Sequence, residues 1–425
     1  MSSKSNKQLI VTLVSLAICL LAASNNVRAQ VPCGGYEVTA IVQVDECPPL
    51  GFPPMLPFGL NEQGWMVGSF RACIIGPKIA WLWTPEDGLQ LIPMPNGTSQ
   101  SQADAISGSK IVGNFDNTKL ELGTAGFLYD IETDEFTSLG ILPGGNRSEA
   151  RAINNKGEIV GFWGGGEVPI PQAFIWHNGE MIDINPDFKT LNSDPKDIND
   201  NGIVTGWMGS SLITDAHAFI WDKGNVIELP PIPGGFRSQG NEINTSLQLA
   251  VTGQFNEDHP LGFISGGFLW EAGKWTDVGM LDGYASLALK GLNDDGTIVG
   301  WSRDLQNNKL PDTAFVWRDG EMTELDDLLP PESHLHIKRA EAINESGQIA
   351  ARALNADNDT VAVLLTPIKG TLGDLNGDCQ VSTVDLLLLF SNWGPCDDCG
   401  NCPADLDGNC TVSTTDLLIL FGNWG

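Results

Sequence analysis

The sequence contains few basic residues: 23 Lys and Arg stand against 53 Asp and Glu, which gives a formal net charge of −30 at pH 7. Proteins that bind a phosphate backbone need a basic surface, so we expect no nucleic-acid partner. Only five histidines are present, and their scattered positions form no visible catalytic triad. A Gly-x-Ser-x-Gly motif is absent as well, which argues against a serine hydrolase of the α/β type.

Long hydrophobic runs are absent after the first 30 residues, so we expect no membrane-spanning segment in the mature chain. The chain starts with the basic residues Lys4 and Lys7, an apolar run, and a Val-Arg-Ala sequence that ends at Ala29. This pattern is typical of a secretory signal peptide, which we predict over residues 1–29. Lipidation at Cys19 is the alternative, and the bulky residue before it argues against that. We therefore predict a protein that is extracellular or held at the cell surface.

Eight of the nine cysteines remain after the predicted cleavage, and an exported protein is expected to pair them as disulfides. They fall into two sets, which indicates two separate structural units. One set lies near the start of the mature chain and the other near its end: Cys33, Cys47, Cys73, and Cys379, Cys396, Cys399, Cys402, Cys410.

Two phrases recur through the middle of the chain with a period of about 47 residues, and such a repeat determines the whole fold. One phrase is a short aromatic run, such as the Ala-Phe-Ile-Trp that ends at Trp176; its seventh copy, ending at Leu365, has lost the aromatics. The other phrase is an apolar residue, Asn, a polar turn with Gly, then Ile or Val. Its copies, 45 to 51 residues apart, end at Gly68, Gly113, Gly161, Gly206, Gly253, Gly300 and Ala351.

Each repeat predicts about four short strands. Asn-x-x-Gly between apolar runs is typical of a hairpin turn, and the aromatic phrase is typical of a buried strand. The turn Asn residues are expected to bond within their own turns, and the recurrent tryptophans to pack between neighbouring repeats. Four strands per repeat is the content of one β-propeller blade.

The two ends of the repeat region complement each other. The seventh copy ends at Thr366-Pro367 without a fourth strand, and an unassigned strand from Tyr36 to Val44 precedes the first copy. If that strand completes the last blade, no sheet edge is left open. We therefore predict an all-β, seven-bladed β-propeller over residues 30–368. An open β-solenoid and a pair of sandwiches are the alternatives.

The recurrent phrases resemble the HAF repeats of bacterial extracellular proteins, over Tyr36 to Thr366. The resemblance implies a secreted β-repeat protein. It brings no reaction and no catalytic residues, so function has to be sought in residues that break the repeat. One such place is an insertion with Asp326, His334 and His336, for which a metal site is one interpretation and a solvated loop the other.

The composition changes at Gly373, and the segment from there to Gly425 has eight Asp and no Lys or Arg. It holds two copies, 31 residues apart, of a twelve-position loop in which oxygen-bearing residues alternate. Calcium takes six to eight oxygen ligands, so we predict that two calcium ions bind here. The predicted ligands are Asp374, Asn376, Asp378, Gln380, Ser382 and Asp385 in the first loop, and Asp405, Asp407, Asn409, Thr411, Ser413 and Asp416 in the second.

An apolar stretch with helical period follows each loop, so the two helices are expected to pack together. The residues of the shared face are Leu386, Leu389, Phe390, Leu417, Leu420 and Phe421. This duplicated loop–helix pattern resembles the dockerin modules of polysaccharide-degrading assemblies. We predict a small all-α dockerin-like module over residues 369–425, and the resemblance implies a cohesin-like partner or another cell-surface protein.

The cysteines of this module allow two interpretations. Cys396, Cys399 and Cys402 form C-x2-C-x2-C, which together with Cys379 and Cys410 is compatible with zinc or an iron–sulfur cluster. Export favours disulfides instead. Cys379 and Cys410 occupy the loop position that usually holds Gly, where a cysteine needs strain or a disulfide to hold it.

Two functions fit these features. The first is a non-enzymatic binding or scaffold protein, in which the propeller presents a surface, for example to an extracellular glycan, and the calcium module docks to a partner. The second is a glycosidase or lyase that acts on extracellular polysaccharide and is recruited through the dockerin-like tail. A purely structural surface-layer component is a third. Asp, Glu or His converging at the central mouth of the ring would favour the enzyme, and an empty mouth would favour binding.

Overall fold

The computed structural model of the protein describes residues 35–43, 54–71, 76–117, 123–184, 191–210, 215–255, 265–304, 310–368, 372–376, 380–396 and 402–425. The predicted signal peptide and the cysteines at 33, 47, 73, 379 and 399 lie outside these ranges. Within them, no helix is long and apolar enough to cross a membrane.

The chain is mostly β-structure, and its strands fall into groups of four that follow the repeats. Groups 1 to 4 are separate antiparallel sheets. Group 1 consists of β2 (Leu56–Leu60), β3 (Met66–Arg71), β4 (Lys78–Thr84) and β5 (Gly88–Leu91), and group 2 of β6 (Thr98–Ser107), β7 (Lys110–Asn117), β8 (Thr124–Asp130) and β9 (Glu135–Gly140). Group 3 consists of β10 (Arg147–Ile153), β11 (Ile159–Gly165), β12 (Val168–His177) and β13 (Glu180–Asp183), and group 4 of β14 (Asn192–Ile198), β15 (Val204–Gly209), β16 (His217–Asp222) and β17 (Asn225–Glu228).

Groups 5 and 6 form one eight-stranded sheet, in which a single parallel pair, Ser265 and Ser286, joins two four-stranded halves. The halves are β18 (Arg237–Ile243), β19 (Leu249–Gln254), β20 (Ser265–Glu271), β21 (Lys274–Gly279), and β22 (Ser286–Leu292), β23 (Ile298–Arg303), β24 (Thr313–Arg318), β25 (Glu321–Glu324). Group 7 consists of β1 (Tyr36–Val42), β26 (His336–Ile343), β27 (Ile349–Leu354) and β28 (Thr360–Pro367), preceded by the 3-10 turns Asp326–Leu328 and Pro331–Ser333.

Group 7 joins the two ends of the repeat region. Strand β1 pairs antiparallel with β28, in a register that runs from Tyr36 opposite Pro367 to Val42 opposite Ala362. Tyr36 is wholly buried there. The prediction that the first strand completes the last repeat is therefore confirmed.

Buried clusters join each strand group to the next one. Trp317 of group 6, for example, packs with Ala250 and Leu269 of group 5. The last group is joined to the first by a cluster in which Trp81 meets Leu364. Among the described residues these clusters link all successive groups, which excludes an open stack. The predicted packing role is confirmed for Trp83, Trp176, Trp221, Trp270 and Trp317.

The turn Asn residues make bonds within their turns, as predicted, and also tie neighbouring groups together. The Asn154 carboxamide oxygen accepts from the backbone N–H groups of Lys156 and Glu158, and its Nδ2 donates to the carbonyl of Asn199 at 3.0 Å. The series continues around the molecule until Nδ2 of Asn344 donates to the carbonyl of Asn61 at 2.9 Å. The other links start at Asn61, Asn199, Asn244 and Asn293.

The first strand of every group carries a β-bulge near the final residue of the recurrent phrase, for example between Ala150 and Ala152 opposite Gly161. A Cβ added to Gly161 would lie 2.0 Å from the carbonyl oxygen of Glu149, so only glycine allows this close approach. A bulge re-aims the extra side chain. Here the extra side chain turns toward the centre of the ring of groups.

The C-terminal segment contains α1 (Thr383–Ser391), α2 (Thr414–Gly422) and a ribbon of β29 (Gly394–Pro395) and β30 (Thr411–Val412). The helices share a small core that includes five of the six predicted residues: Leu386, Leu389, Phe390, Leu417 and Leu420. The prediction for Phe421 is wrong, because its side chain is 49% exposed and its ring lies 5.4 Å from the Trp424 ring at a tilt of 40°. Cys396 is bonded to Cys402, and Cys410 is also disulfide-bonded, with a φ of +67° as its loop position requires.

Candidate functional site

The bulge residues of the seven groups line a central pocket of about 400 Å³. Each of them lies three residues before the position of the turn Asn, so the repeated turn fixes where every one of these side chains emerges. Asp197 and Glu242, which directly follow two of the bulge residues, line the same pocket. The bulge residues, in chain order, are Phe58, Asp104, Arg151, Lys196, Asn241, Lys290 and Glu341.

Asp104 is held by two side-chain amides on one wall of the central pocket. Its carboxylate accepts from Nε2 of Gln102 at 2.5 Å and from Nδ2 of Asn114 at 2.8 Å. Burial raises the pKa of Asp104 to about 6, although the Gln102 hydrogen bond and the charge of Arg151 oppose the rise. Asp104 therefore exchanges its proton near neutral pH.

Asp197 and Glu242 lie on the neighbouring strands β14 and β18. Asp197 accepts from the backbone N–H of Ile198 at 2.8 Å and from that of Ile243 at 2.9 Å, which brings it next to Glu242. Burial raises the pKa of Asp197 to about 6. Burial, and then the charge of Asp197, raises the pKa of Glu242 well above its ordinary value, against the effect of Lys290. Burial and the charge of the neighbouring carboxylate therefore both favour the protonated form of Glu242.

Cationic side chains share the pocket with these acids. Asp194 binds the Lys196 ammonium at 2.6 Å and lies 3.6 Å from Nε of Arg151. Burial lowers the pKa of Lys196 despite that carboxylate. Glu341, which is 6% exposed, forms an ion pair with Arg352 at 2.7 Å. The lining is therefore mixed in charge, unlike the acidic protein as a whole.

None of these pocket residues was singled out from the sequence. The sequence nevertheless marks the bulge residues, because each stands at the same offset from the turn of its repeat. Charged and polar residues occur at that offset, and their type does not recur with the repeat. Without the bulge, a strict period of two does not tell which of these side chains faces the centre. The structure supplies that direction.

Three of the six predicted calcium ligands of the second loop come together at one point. Oxygens of Asp405, Asp407 and Asp416 lie within 4.8 Å of one another. Burial by itself raises the pKa of Asp416, but the backbone N–H groups of Ser413, Asp407 and Leu406 together hold it below its usual value. Only oxygen ligands are offered, which fits a hard cation. Ser413 caps α2, Thr411 lies in β30, and the backbone N–H of Asn409 donates to Asp405 and Asp407.

The first loop is described only in part, because Asp378 lies outside the described residues. Asp385 accepts from the backbone N–H groups of Leu375, Asn376 and Ser382, in the same way as Asp416 does in the second loop. These bonds hold the pKa of Asp385 below its usual value, although burial acts in the opposite direction. The remaining predicted ligands, Asp374, Asn376, Gln380 and Ser382, lie in the described part of this loop.

The His-x-His insertion serves the fold. Nδ1 of His336 lies 2.7 Å from a carboxylate oxygen of Asp326, and its Nε2 lies 3.0 Å from the carbonyl of Asp312. Both ring nitrogens are therefore occupied, and His334 is exposed on a turn. This arrangement favours the structural interpretation of the insertion over a metal site.

No protein-family model and no curated protein matches the chain. Its fold is similar to solved structures that include β-propellers. Acylaminoacyl peptidase from Pyrococcus horikoshii is 13% identical, with a TM-score of 0.50 over 76% of this chain and 53% of that one. The β-propeller domain of the Trilobed protease from Pyrococcus furiosus is 10% identical, with 0.47 over 77% and 94%. Oligogalacturonate lyase from Vibrio parahaemolyticus is 11% identical, with 0.46 over 79% and 98%.

The chain spans about half the length of the first of these peptidases. The closed arrangement of four-stranded groups described above is that of a β-propeller. The prediction of a non-enzymatic binding protein is wrong. Solved structures with a similar fold include a peptidase, and the central mouth is not empty. Four carboxyl groups converge there: Asp104, Asp197, Glu242 and Glu341.

Proposed function

We propose that the protein is an extracellular enzyme, a glycosidase or lyase, that cleaves polysaccharide in the central pocket. The observation that carries this proposal is the Asp197–Glu242 pair, two carboxyl groups that line one pocket and whose pKa values are raised by burial. Cleavage of a glycosidic bond requires a proton donor for the leaving oxygen and a second group that acts as base or nucleophile. Glu242 is the proton donor in this proposal, and Asp197 is the second group.

The variety of the pocket residues supports the same proposal. Positions that pack or turn keep one residue type through the repeats, because each repeat makes the same contacts. The bulge positions share one backbone geometry and yet hold six different residue types, from Phe58 to Glu341. Packing therefore does not determine them, and an asymmetric ligand inside the pocket does.

The finer description of the fold belongs to this proposal as well. We take the seven strand groups as seven blades, on the support of the β1–β28 pairing and the Asn344–Asn61 link. We also propose that the repeats are related to HAF repeats and that residues 1–29 direct export. The propeller domain would then span residues 30–368, and the dockerin-like module residues 369–425.

The C-terminal module is proposed to recruit the enzyme. Two calcium ions would be held by the predicted loop residues, and the dockerin-like helices would bind a cohesin-like or other cell-surface protein. The convergence of Asp405, Asp407 and Asp416 supports the calcium part of this proposal.

The proposal is tested by incubating the full chain with a panel of polysaccharides and measuring new reducing ends. Ultraviolet absorbance of an unsaturated sugar distinguishes a lyase from a glycosidase. Replacing the proton donor, Glu242→Gln, is expected to lower the rate at least ~100-fold, the usual contribution of a general acid. Glu321→Gln, at an exposed site in β25, is the matched control. Absence of product from every glycan, or an undiminished rate in Glu242→Gln, would contradict the proposal.

A further inference from the structure

One wall of the central pocket presents three nitrogen-bearing side chains in succession. Lys196, Asn241 and Lys290 occupy the bulge positions of β14, β18 and β22, the first strands of three consecutive groups. All three line the pocket, and Glu242 directly follows Asn241 in the chain. The wall therefore combines hydrogen-bond donors with the proposed proton donor.

The two lysines of this wall differ in their partners. The Lys196 ammonium is held by Asp194 at 2.6 Å. Among the residues that the structure describes, the Lys290 ammonium makes no hydrogen bond and no ion pair, although it interacts electrostatically with Glu242 and Lys196. Lys290 is thus a cation that faces the pocket with its three donors available.

Lys290 is exposed, so a ligand that enters the pocket can reach its ammonium. A ligand with a negative charge would complete this wall, whereas a neutral sugar would leave the charge of Lys290 unpaired.

We propose that this wall binds the anionic group of an acidic polysaccharide, a carboxylate or a sulfate carried by the sugar ring. Lys290 supplies the main charge, Lys196 the second, and the Asn241 amide a hydrogen bond to the same anion. This inference rests on the proposed function for the position of the cleaved bond beside Glu242, and it adds the class of substrate.

Binding is measured by calorimetry on the full chain carrying Glu242→Gln, so that turnover does not interfere. The probes are hexasaccharides of uronic acids, sulfated hexasaccharides, and neutral hexasaccharides with the same backbones. The acidic probes are expected to bind more tightly, and added Lys290→Gln to weaken them about 10- to 100-fold, the range for hydrogen bonds to a charged group. The same change should flatten the dependence of the affinity on salt. Lys274→Gln, at an exposed site in β21, is the matched control.

The outcomes separate this inference from the proposed function. Neutral probes that bind as tightly as acidic ones, or an affinity that Lys290→Gln leaves unchanged, overturn the inference. If the native chain cleaves only neutral glycans, the enzyme proposal stands and the inference falls. If acidic probes bind through Lys290 but the native chain cleaves none of them, the inference stands and the enzyme proposal falls. Uronate and sulfate probes, compared with each other, identify which anion is preferred.

Discussion

Asp104 gives the sharpest quantitative test of the pocket, because its pKa shift is linked to the stability of the fold. Its pKa rises from 3.8 to about 6 on folding. The folded state therefore binds the proton more tightly than the unfolded state. The resulting stability is fully present below pH 3.8 and is lost as the pH rises through about 6. A shift of about two units corresponds to about 3 kcal/mol, of which roughly 1.4 kcal/mol falls between pH 5 and 7.5.

The variant Asp104→Asn removes this dependence. The new amide places its NH₂ group against one of the two donors, Gln102 or Asn114, and that cost is the same at every pH. It therefore cancels when the difference in unfolding free energy between variant and native protein is compared at two pH values. This difference should move in favour of the variant by about 1.4 kcal/mol from pH 5 to pH 7.5.

The assay is urea unfolding of both proteins, followed by tryptophan fluorescence, at several pH values above the sequence pI of 4.3. Asp282→Asn, at an exposed turn outside the pocket, is the control. A difference that stays constant with pH, or that moves toward the native protein, would refute the burial of an ionisable Asp104 in the pocket.

Three further predictions concern the contact between the last and the first strand group, the pH dependence of the reaction, and the metal. Asn344→Ala loses the 2.9 Å link to Asn61, so it should cost about 1–3 kcal/mol more than Asn355→Ala, whose side chain caps its own turn in the same way; equal costs in urea unfolding would show that the link contributes nothing. The rate should rise with pH through about 6 as Asp197 ionises and fall at higher pH as Glu242 loses its proton; a flat pH–rate profile would contradict these roles. Calorimetric titration of the full chain should find two calcium ions, and one fewer in Asp405→Asn; no binding in either protein would refute the metal prediction.

The sequence predicted the repeat architecture because that architecture depends on local and periodic features. Turn Asn residues, the glycine at each bulge and the aromatic strands recur at about 47 residues, and each has a direct physical reason for its place. Even the pairing of β1 with β28 followed from counting strands, since an orphan strand at one end matched a missing strand at the other. The hydrogen bond from Asn344 to Asn61, between the last and the first strand group, was not predicted, because a side chain that bonds within its own turn gives no sign of a second bond.

The central pocket was not predicted for a different reason. Asp104, Asp197 and Glu242 come from three groups that are distant in the chain, and only the closed ring brings them together. The direction of Asp104 also depends on a β-bulge, which a period of two cannot reveal. The prediction for Phe421 was wrong for another reason, because its side chain is 49% exposed although its place in the helical period is correct.

The central claim is that a polysaccharide is bound and cleaved beside Glu242. A crystal structure of the full chain with Glu242→Gln, grown with an uncleaved acidic hexasaccharide, tests this claim most directly. We predict a sugar in the central pocket, with a glycosidic oxygen within hydrogen-bonding distance of residue 242 and an anionic group on Lys290. Sugar found only on the outer faces of the blades, with water in the pocket, would contradict the account.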